Sequence, residues 1–244
     1  LSTLFISDLH LDAAEPAAGA QFIEFLERRA ATADALYILG DLFEAWVGDD
    51  DDEPYRDRIC QALAAASDRG LPCYVMHGNR DFLFQKRFET RTGARLIADP
   101  ILIDLYGESV LLTHGDALCI SDHSYQRLRG VVRNPHWQRR FLALPLNLRR
   151  GLAEQARRGS QRHTQRTAYE IMDVDLPAVA AAMHACGVRT MIHGHTHRPA
   201  VHEFQLDGHS ARRIVLGAWH GSGSCLEWGP EGFELQALPR GGPE

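Results

Sequence analysis

Paired cysteines are missing from this chain. Its five cysteines, Cys60, Cys73, Cys119, Cys186 and Cys225, are odd in number, scattered, and never spaced as CxxC. That excludes a disulfide framework and a thiolate zinc site, and it fits a reducing compartment. Long apolar runs are missing too, since no stretch approaches the roughly 18 residues of a membrane-spanning helix. The first residues run directly into Thr3-Leu4-Phe5-Ile6 with no basic segment ahead of them, so the expected location is the cytoplasm. Internal repeats and low-complexity linkers are also lacking, which excludes solenoid and disordered classes.

What is present is the composition of an ordinary globular protein: 244 residues, 45% hydrophobic and 24% charged. A chain of this size buries a sizeable core unaided, and one α/β domain over 1–244 is expected. The net charge of −6 is unevenly placed. Residues 124–170 hold eleven arginines against Glu154 and Glu170, a local +9 that leaves −15 for the rest. Such asymmetry points to an anionic partner for that region.

The front half alternates strand and helix: a strand at Thr3–Ser7, an amphipathic helix at Ala17–Ala31 with Phe22, Ile23, Phe25 and Leu26 inward, a strand at Ala35–Leu39, a helix at Tyr55–Arg69 and a strand at Cys73–His77. A βαβαβ order implies a parallel sheet covered by helices. Ile101–Leu105 and Ser109–Thr113 flank Tyr106-Gly107-Glu108 as a hairpin. Ser124–Tyr169 reads as helical, broken at Pro135 and Pro145, with the look of an insertion at about 123–170. A helix over 175–186 and a strand over Arg189–His193 follow. Ala200–Leu238 alternates apolar and polar residues between glycines and reads as an antiparallel meander.

Five short segments place metal-capable side chains at the C-terminal ends of apolar strands: Asp8-Leu9-His10, Gly40-Asp41, Gly78-Asn79-Arg80-Asp81, His114-Gly115-Asp116 and Gly194-His195-Thr196-His197. In open α/β sheets, sites gather beyond those ends. Alternation in Asp-x-His and His-x-His sends both side chains to one side of an extended chain. One such segment alone would read as a hydrogen-bonded core residue; five in order read as a ligand set. Carboxylate, imidazole and carboxamide donors without thiolate suit Mn²⁺, Fe²⁺ or Zn²⁺. Seven ligands are too many for one catalytic ion with an open position, but suffice for two ions roughly 3.5–4 Å apart sharing a carboxylate.

The order DxH, GD, GN[RH]D, H, GHTH over positions 8–197 resembles the calcineurin-like metallophosphoesterase superfamily. The resemblance implies a layered α/β/β/α sandwich with a helical lid. It also implies one metal on Asp8, His10 and His197, a second on Asn79, His114 and His195, and Asp41 bridging them. Many superfamily members have GNHD or GNHE where this chain has Gly78-Asn79-Arg80-Asp81. That histidine protonates an alkoxide leaving group, which arginine cannot do with a pKa above about 12. Arginine clamps a phosphate bidentately, so Arg80 fits cleavage of a pyrophosphate, with Arg80 and His195 stabilising the developing charge.

The strings FISDLHL, LYILGDLFEAWVGDD, MHGNRDFL, DLYGESVLLTHGDALC and IHGHTHRPA resemble the UDP-2,3-diacylglucosamine diphosphatase branch of lipid A biosynthesis. This closer likeness, which runs to about residue 219, implies two Mn²⁺ ions, a lipid-linked UDP-sugar substrate and release of UMP. It also implies peripheral attachment to the anionic cytoplasmic face of the inner membrane. By the same resemblance Asn79, Arg80, Asp122, Ser160 and His195 line the sugar-phosphate site. Two positions depart from the pattern: Thr167 stands where a lysine is expected, and Gly217-Ala218-Trp219 replaces GDW. Arg157, Ser160, Thr164 and Thr167 share one helix face that would present donors to the sugar phosphate. Val131, Val132, Trp137, Phe141, Leu142, Leu144, Leu146 and Leu148 would line an acyl groove, or simply pack the insertion onto the body. The acidic run Asp49–Asp52 reads as a solvated loop. Asp81 and Asp116, beside ligands, would orient them. A general dinuclear phosphodiesterase or nucleotide pyrophosphatase is the alternative reading. A nucleic-acid phosphodiesterase is disfavoured, because the arginine-rich arm has few aromatics for base stacking.

Overall fold

Every residue of the first strand, Thr3–Ile6, is buried, as expected when both faces of a parallel sheet are covered. Leu4 and Ile6 join one apolar cluster and Phe5 joins another, the period-2 alternation of an extended chain. The structure, a computed structural model, describes residues 2–166, 173–220 and 223–238, the side chains of 160–166 excepted.

In chain order the first elements are β1 (Thr3–Ile6), α1 (Pro16–Arg28), β2 (Ala35–Leu39), α2 (Pro54–Asp68), β3 (Cys73–Met76), α3 (Lys86–Thr92) and β4 (Arg95–Ile97). The hairpin β5 (Ile101–Leu105) and β6 (Glu108–Thr113) follows, then α4 (His123–Val132), α5 (Pro135–Leu142) and α6 (Leu146–Arg166). The chain continues through α7 (Leu176–Cys186), β7 (Thr190–His193), β8 (Ala200–Leu206), β9 (His209–Val215), β10 (Gly223–Gly229) and β11 (Gly232–Leu238).

One sheet has the order β11-β10-β1-β2-β3-β4, the other β5-β6-β7-β9-β8. In the first, β1 to β4 run parallel. In the second, β6, β7 and β9 run parallel. The sheets face each other across Phe5, Leu39, Met76, Val110, Leu112, Ile192, Ile214 and Leu226. The outer face of the first packs Leu36, Ile38 and Val75 against Phe22 and Leu26 of α1, Ile59 and Leu63 of α2, and Phe88 of α3. The outer face of the second packs Leu111 and Met191 against Val179 and Met183 of α7. The layering is therefore α/β/β/α, with each fully buried large apolar side chain contributing about 1.5–3 kcal/mol.

Local chemistry sets the helix starts. Pro54 opens α2, and the Glu53 carboxylate accepts from Tyr55 N and Arg56 N at 3.0 and 3.1 Å, filling two otherwise unmet donors. Pro135 opens α5, where Asn134 Oδ1 accepts from His136 N at 2.8 Å. Pro145 lies immediately before α6. Both sequence-read breaks are thus helix boundaries.

Two elements were not legible beforehand, the short α3 and β4. The tail is not a single meander. β8 and β9 form a hairpin in the second sheet, whereas β10 and β11 form one in the first, with β10 antiparallel to β1. Alternation reveals that a strand has one buried face but not which sheet it joins. The connection between the hairpins runs along both sheets: Leu216 N donates to His193 O at 2.8 Å and Trp219 N to Asp8 O at 3.1 Å. Among the described residues no helix is long and apolar enough to cross a membrane.

Candidate metal centre

Both sheets point the carboxyl ends of their parallel strands at one rim, and the five sequence segments meet there. The segments after β1 and β2 stay paired past the strands, with Asp8 N donating to Gly40 O, His10 N to Asp41 O and Leu11 N to Leu42 O at 3.0–3.1 Å. Within that ladder the backbone is left-handed at Asp8 (φ 55°), His10 (φ 50°) and Asp41 (φ 53°), and again at His195 (φ 68°) and His197 (φ 57°). The other non-glycine positive φ values among the described residues, at Tyr106 and Asp207, sit in hairpin turns before Gly107 and Gly208, where such turns need them. At the rim no turn requires them. Left-handed residues there cost about 1–3 kcal/mol each and persist at functional sites. Asp8 and His10 therefore converge through these kinks, and not through the strand alternation expected from Asp-x-His.

The seven side chains lie together. His10 Nε2 and His197 Nε2 are 3.1 Å apart, and Asp8 Oδ1 is 3.3 Å from His197 Nε2 and 3.9 Å from His10 Nε2. Asp41 spans the cluster, with Oδ2 3.8 Å from His10 Nε2 and Oδ1 3.8 Å from His114 Nε2. Asn79 Oδ1 lies 3.0 Å from His114 Nε2 and 2.9 Å from His195 Nδ1. Asp8, His10 and His197 bring one donor atom each within 4.8 Å of one another, and so do Asp8, Asp41 and His114.

These residues fit divalent cations. Asp8 Oδ2 is satisfied by Ser7 Oγ at 2.6 Å and His195 N at 2.8 Å. Asp8 Oδ1 is buried without a hydrogen-bond partner and faces the imidazoles. Such an atom is costly unless something positive meets it. His10 Nδ1 is 3.0 Å from Glu44 Oε2, and His114 Nδ1 donates to Leu39 O at 2.9 Å. These contacts at the Nδ1 edges turn each Nε2 toward the cluster, the orientation a metal ligand requires. Close approach of the loops needs glycine: a Cβ at Gly78 would lie 2.1 Å from Asp41 Oδ1, and one at Gly194 would lie 2.3 Å from Asp8 Oδ2.

The electrostatics follow from burial and mutual charge. Burial pushes the Asp8 carboxyl up, but the hydrogen bond and charge of His197, with His114 and His10, outweigh it, so Asp8 is held well below the usual carboxylate range. Burial lowers His114, and the charges of Asp41, Asp8, Asp116 and Asp99 overcome it, raising the ring to about 9. His195 is lowered to about 4 by burial and by the charge of His114.

The supporting shell was only partly legible. The Asp81 carboxylate accepts from Gly78 N at 2.8 Å and Leu42 N at 2.7 Å, so it ties the Asp41 loop to the Asn79 loop. Asp116 touches no ligand; it accepts from Tyr125 Oη at 2.6 Å and Arg129 Nε at 2.8 Å, anchoring α4. Arg80 donates its backbone N to Asp41 Oδ1 at 2.8 Å, and its Nη1 is 3.8 Å from Glu44 Oε1. Its Nε is buried and unpartnered. Glu44 was not singled out from sequence, and neither was His220, whose ring stacks on His10 at 5.3 Å.

One sequence expectation is corrected, and others find their places. The acidic run is not a solvated loop. Asp49 accepts from Trp46 Nε1 at 3.0 Å and Phe88 N at 2.8 Å, Asp50 pairs with Arg149, and Asp51 pairs with Arg56 and Arg150. Part of the arm's positive charge is therefore met within the chain: Arg157 pairs with Asp12 at 3.0 Å, and Arg133 lies 3.7 Å from Asp116 Oδ2 while donating to Gly78 O at 2.9 Å. Asp122 caps α4 through Tyr125 N at 3.0 Å. The apolar residues of the arm divide. Phe141 and Leu142 pack on the core and Trp137 stacks on Phe141, while Leu128, Val131, Leu148 and Leu152 are exposed. The side chains of Ser160 and Thr164, and all of Thr167, lie outside the described residues.

Comparison with known proteins places this geometry. The description "Calcineurin-like phosphoesterase" matches residues 1–199. A UDP-2,3-diacylglucosamine hydrolase of Klebsiella pneumoniae is 51% identical over 239 residues, 98% of this chain and all of that protein. One of Pectobacterium carotovorum is 49% identical over the same shares. Among solved structures, an archaeal phosphodiesterase aligns with TM-score 0.51 at 12% identity, over 98% of this chain and all of its own, and it speaks for the fold alone. With the match spanning the ligand cluster and strands β1 to β7, this chain belongs to the calcineurin-like phosphoesterases, a family of metal-dependent hydrolases.

Proposed function

We propose that the chain hydrolyses the pyrophosphate bond of UDP-2,3-diacylglucosamine, releasing UMP and 2,3-diacylglucosamine 1-phosphate for lipid A synthesis. The observation that carries this reading is identity at about half of all positions, over their full length, to proteins named for that hydrolase. The proposal includes two Mn²⁺ ions: Asp8, His10 and His197 hold one, Asn79, His114 and His195 the other, and Asp41 sits between with one oxygen toward each group.

Bound divalent cations supply an activated water and neutralise charge on phosphoryl oxygens. The chain's own groups do the rest. Arg80, with an unpartnered Nε, clamps a phosphate oxygen. His195, buried beside Asn79 with its Nδ1 2.9 Å from Asn79 Oδ1, would join Arg80 in meeting the charge that grows on the phosphoryl oxygens. The leaving phosphate ionises near neutral pH and needs no protonating imidazole, which agrees with arginine at position 80. Leu128, Val131, Leu148 and Leu152, exposed on the arm beside its arginines, suit acyl chains and an anionic lipid surface.

The test is incubation with Mn²⁺ and UDP-2,3-diacylglucosamine, UDP-glucose or bis(p-nitrophenyl) phosphate, assaying UMP or p-nitrophenol. UMP release that depends on the acyl chains is expected. Equal turnover of the soluble esters sinks the lipid reading in favour of a general phosphodiesterase. Asp41→Asn and His114→Ala are each expected to abolish turnover, and near-normal activity in either removes the dinuclear arrangement.

A further inference from the structure

The ligand cluster has two open sides. On one stands the arm, fixed by Arg133 to Gly78 O, by Arg157 to Asp12 and by Arg149 to Asp50. On the other lies a cleft of about 520 Å³ between residues 197–199, residues 217–220 and the β10–β11 hairpin. His197, Ala218, His220, Ser224, Gln236 and Ala237 are among its lining residues. His197 belongs to both the cleft and the ligand cluster, so the two are continuous.

Resting on the proposed reaction, we infer that this cleft receives the nucleoside half of the substrate, uridine with its adjoining phosphate, while the acylated sugar lies under the arm. In an in-line displacement the leaving group departs opposite the attacking water, while the half that stays on the reacting phosphorus projects across that axis, so the two halves diverge and occupy different sides of the centre. The arm side offers exposed Leu128, Val131, Leu148 and Leu152 with arginines around them, a surface for alkyl chains. The opposite side offers a short cleft whose volume falls in the ~300–1,000 Å³ range of small-molecule sites. Its wall mixes small residues with planar imidazoles and amide and hydroxyl groups, which suits a ring that stacks and hydrogen-bonds along its edge. His220 is the surface for stacking. Its ring lies within 11° of parallel to His10 at 5.3 Å and 6.2 Å from His197, yet the residue is exposed. It is braced by neighbours and reachable from solvent. Ala218 and Ala237 keep the wall low, and among the described residues that line the cleft none is acidic to repel a phosphate.

The experiment uses the full chain loaded with Mn²⁺ and uridine 5′-monophosphate as the probe. Hydrogen-exchange mass spectrometry with and without the nucleotide is expected to show slowed exchange at 217–220 and 235–237. Slowing confined to the arm, 128–152, overturns the assignment, as does no slowing anywhere at saturating nucleotide. As a second measurement, Ala237→Trp fills an exposed position on the edge strand β11. It is expected to raise KM for UDP-2,3-diacylglucosamine and the inhibition constant of UMP by about tenfold each, with kcat changing less than about threefold. Unaltered values for both, in a chain whose wild type releases UMP, remove the cleft from substrate binding. A wild type that releases no UMP from the UDP-sugar fails earlier, at the proposed reaction itself, and takes this inference with it.

Discussion

Glu44 holds the Nδ1 edge of His10 at 3.0 Å, and its other oxygen lies 3.8 Å from Arg80. One carboxylate therefore sits against the Nδ1 edge of a candidate ligand ring and beside the guanidinium that would meet a phosphate. Losing such a support typically costs about 10–100-fold in metal affinity or activity. Glu44→Ala is expected to weaken Mn²⁺ binding, read by titration calorimetry, within that range, and Glu44→Gln should recover part of the loss because it still accepts from Nδ1. Equal affinity in the alanine variant would detach Glu44 from the centre. Gly78 offers a second test at this scale, since an added Cβ would lie 2.1 Å from Asp41 Oδ1. Gly78→Ala must move that carboxylate, and displacements near 1 Å cost about 100-fold in rate. Turnover should fall by that order while the far-ultraviolet circular dichroism stays the same.

At the scale of elements, the arm is docked through side chains that sequence alone could not pair. Arg149, only 2% exposed, donates from Nε to Leu144 O at 3.0 Å and from Nη1 to Val47 O and Asp50 Oδ1 at 2.5 and 2.8 Å. Replacing it with methionine leaves Val47 O without its donor, a loss of about 1–3 kcal/mol. Arg149→Met should therefore speed hydrogen exchange in α5 and α6 while β1 to β3 keep their protection; uniform exchange across the molecule would refute arm-specific docking. The three helices were legible because Pro135 and Pro145 punctuate them locally. The ligand segments were legible for a related reason: each lies within a few residues of an apolar strand end. Asp50 and Glu44 were misread or missed because their partners are distant in the chain, Arg149 about a hundred positions from Asp50 and His10 on a different strand end. Charge counts told how much positive charge the arm carries, but not that the body's own acids meet it. The β8–β9 and β10–β11 hairpins show the same boundary: local alternation gave the strands, and sheet membership depended on the crossing at Leu216–His220.

For the whole molecule, the ligand cluster is the place where the two sheets are joined by chemistry as well as by apolar packing. Asp8, His10, Asp41 and Asn79 follow strands of the first sheet, and His114, His195 and His197 follow strands of the second. Cations shared between these donors bind the folded arrangement and not the unfolded chain, which scatters the donors over positions 8–197. They should therefore stabilise the fold by mass action, about 2.7 kcal/mol at a free metal concentration a hundred times Kd. For a chain of this size each kcal/mol moves Tm by about 2–4 °C, so Mn²⁺ at that level should raise Tm by about 5–10 °C over the chelator-treated protein. Asp41→Asn should lose most of that shift, because Asp41 turns one oxygen toward each histidine group. Glu108→Gln, at the opposite end of the second sheet, should keep it. A Tm indifferent to metal, or a shift that survives Asp41→Asn unchanged, would mean that the cations bind elsewhere and that the rim owes its left-handed backbone to something other than metal ligation.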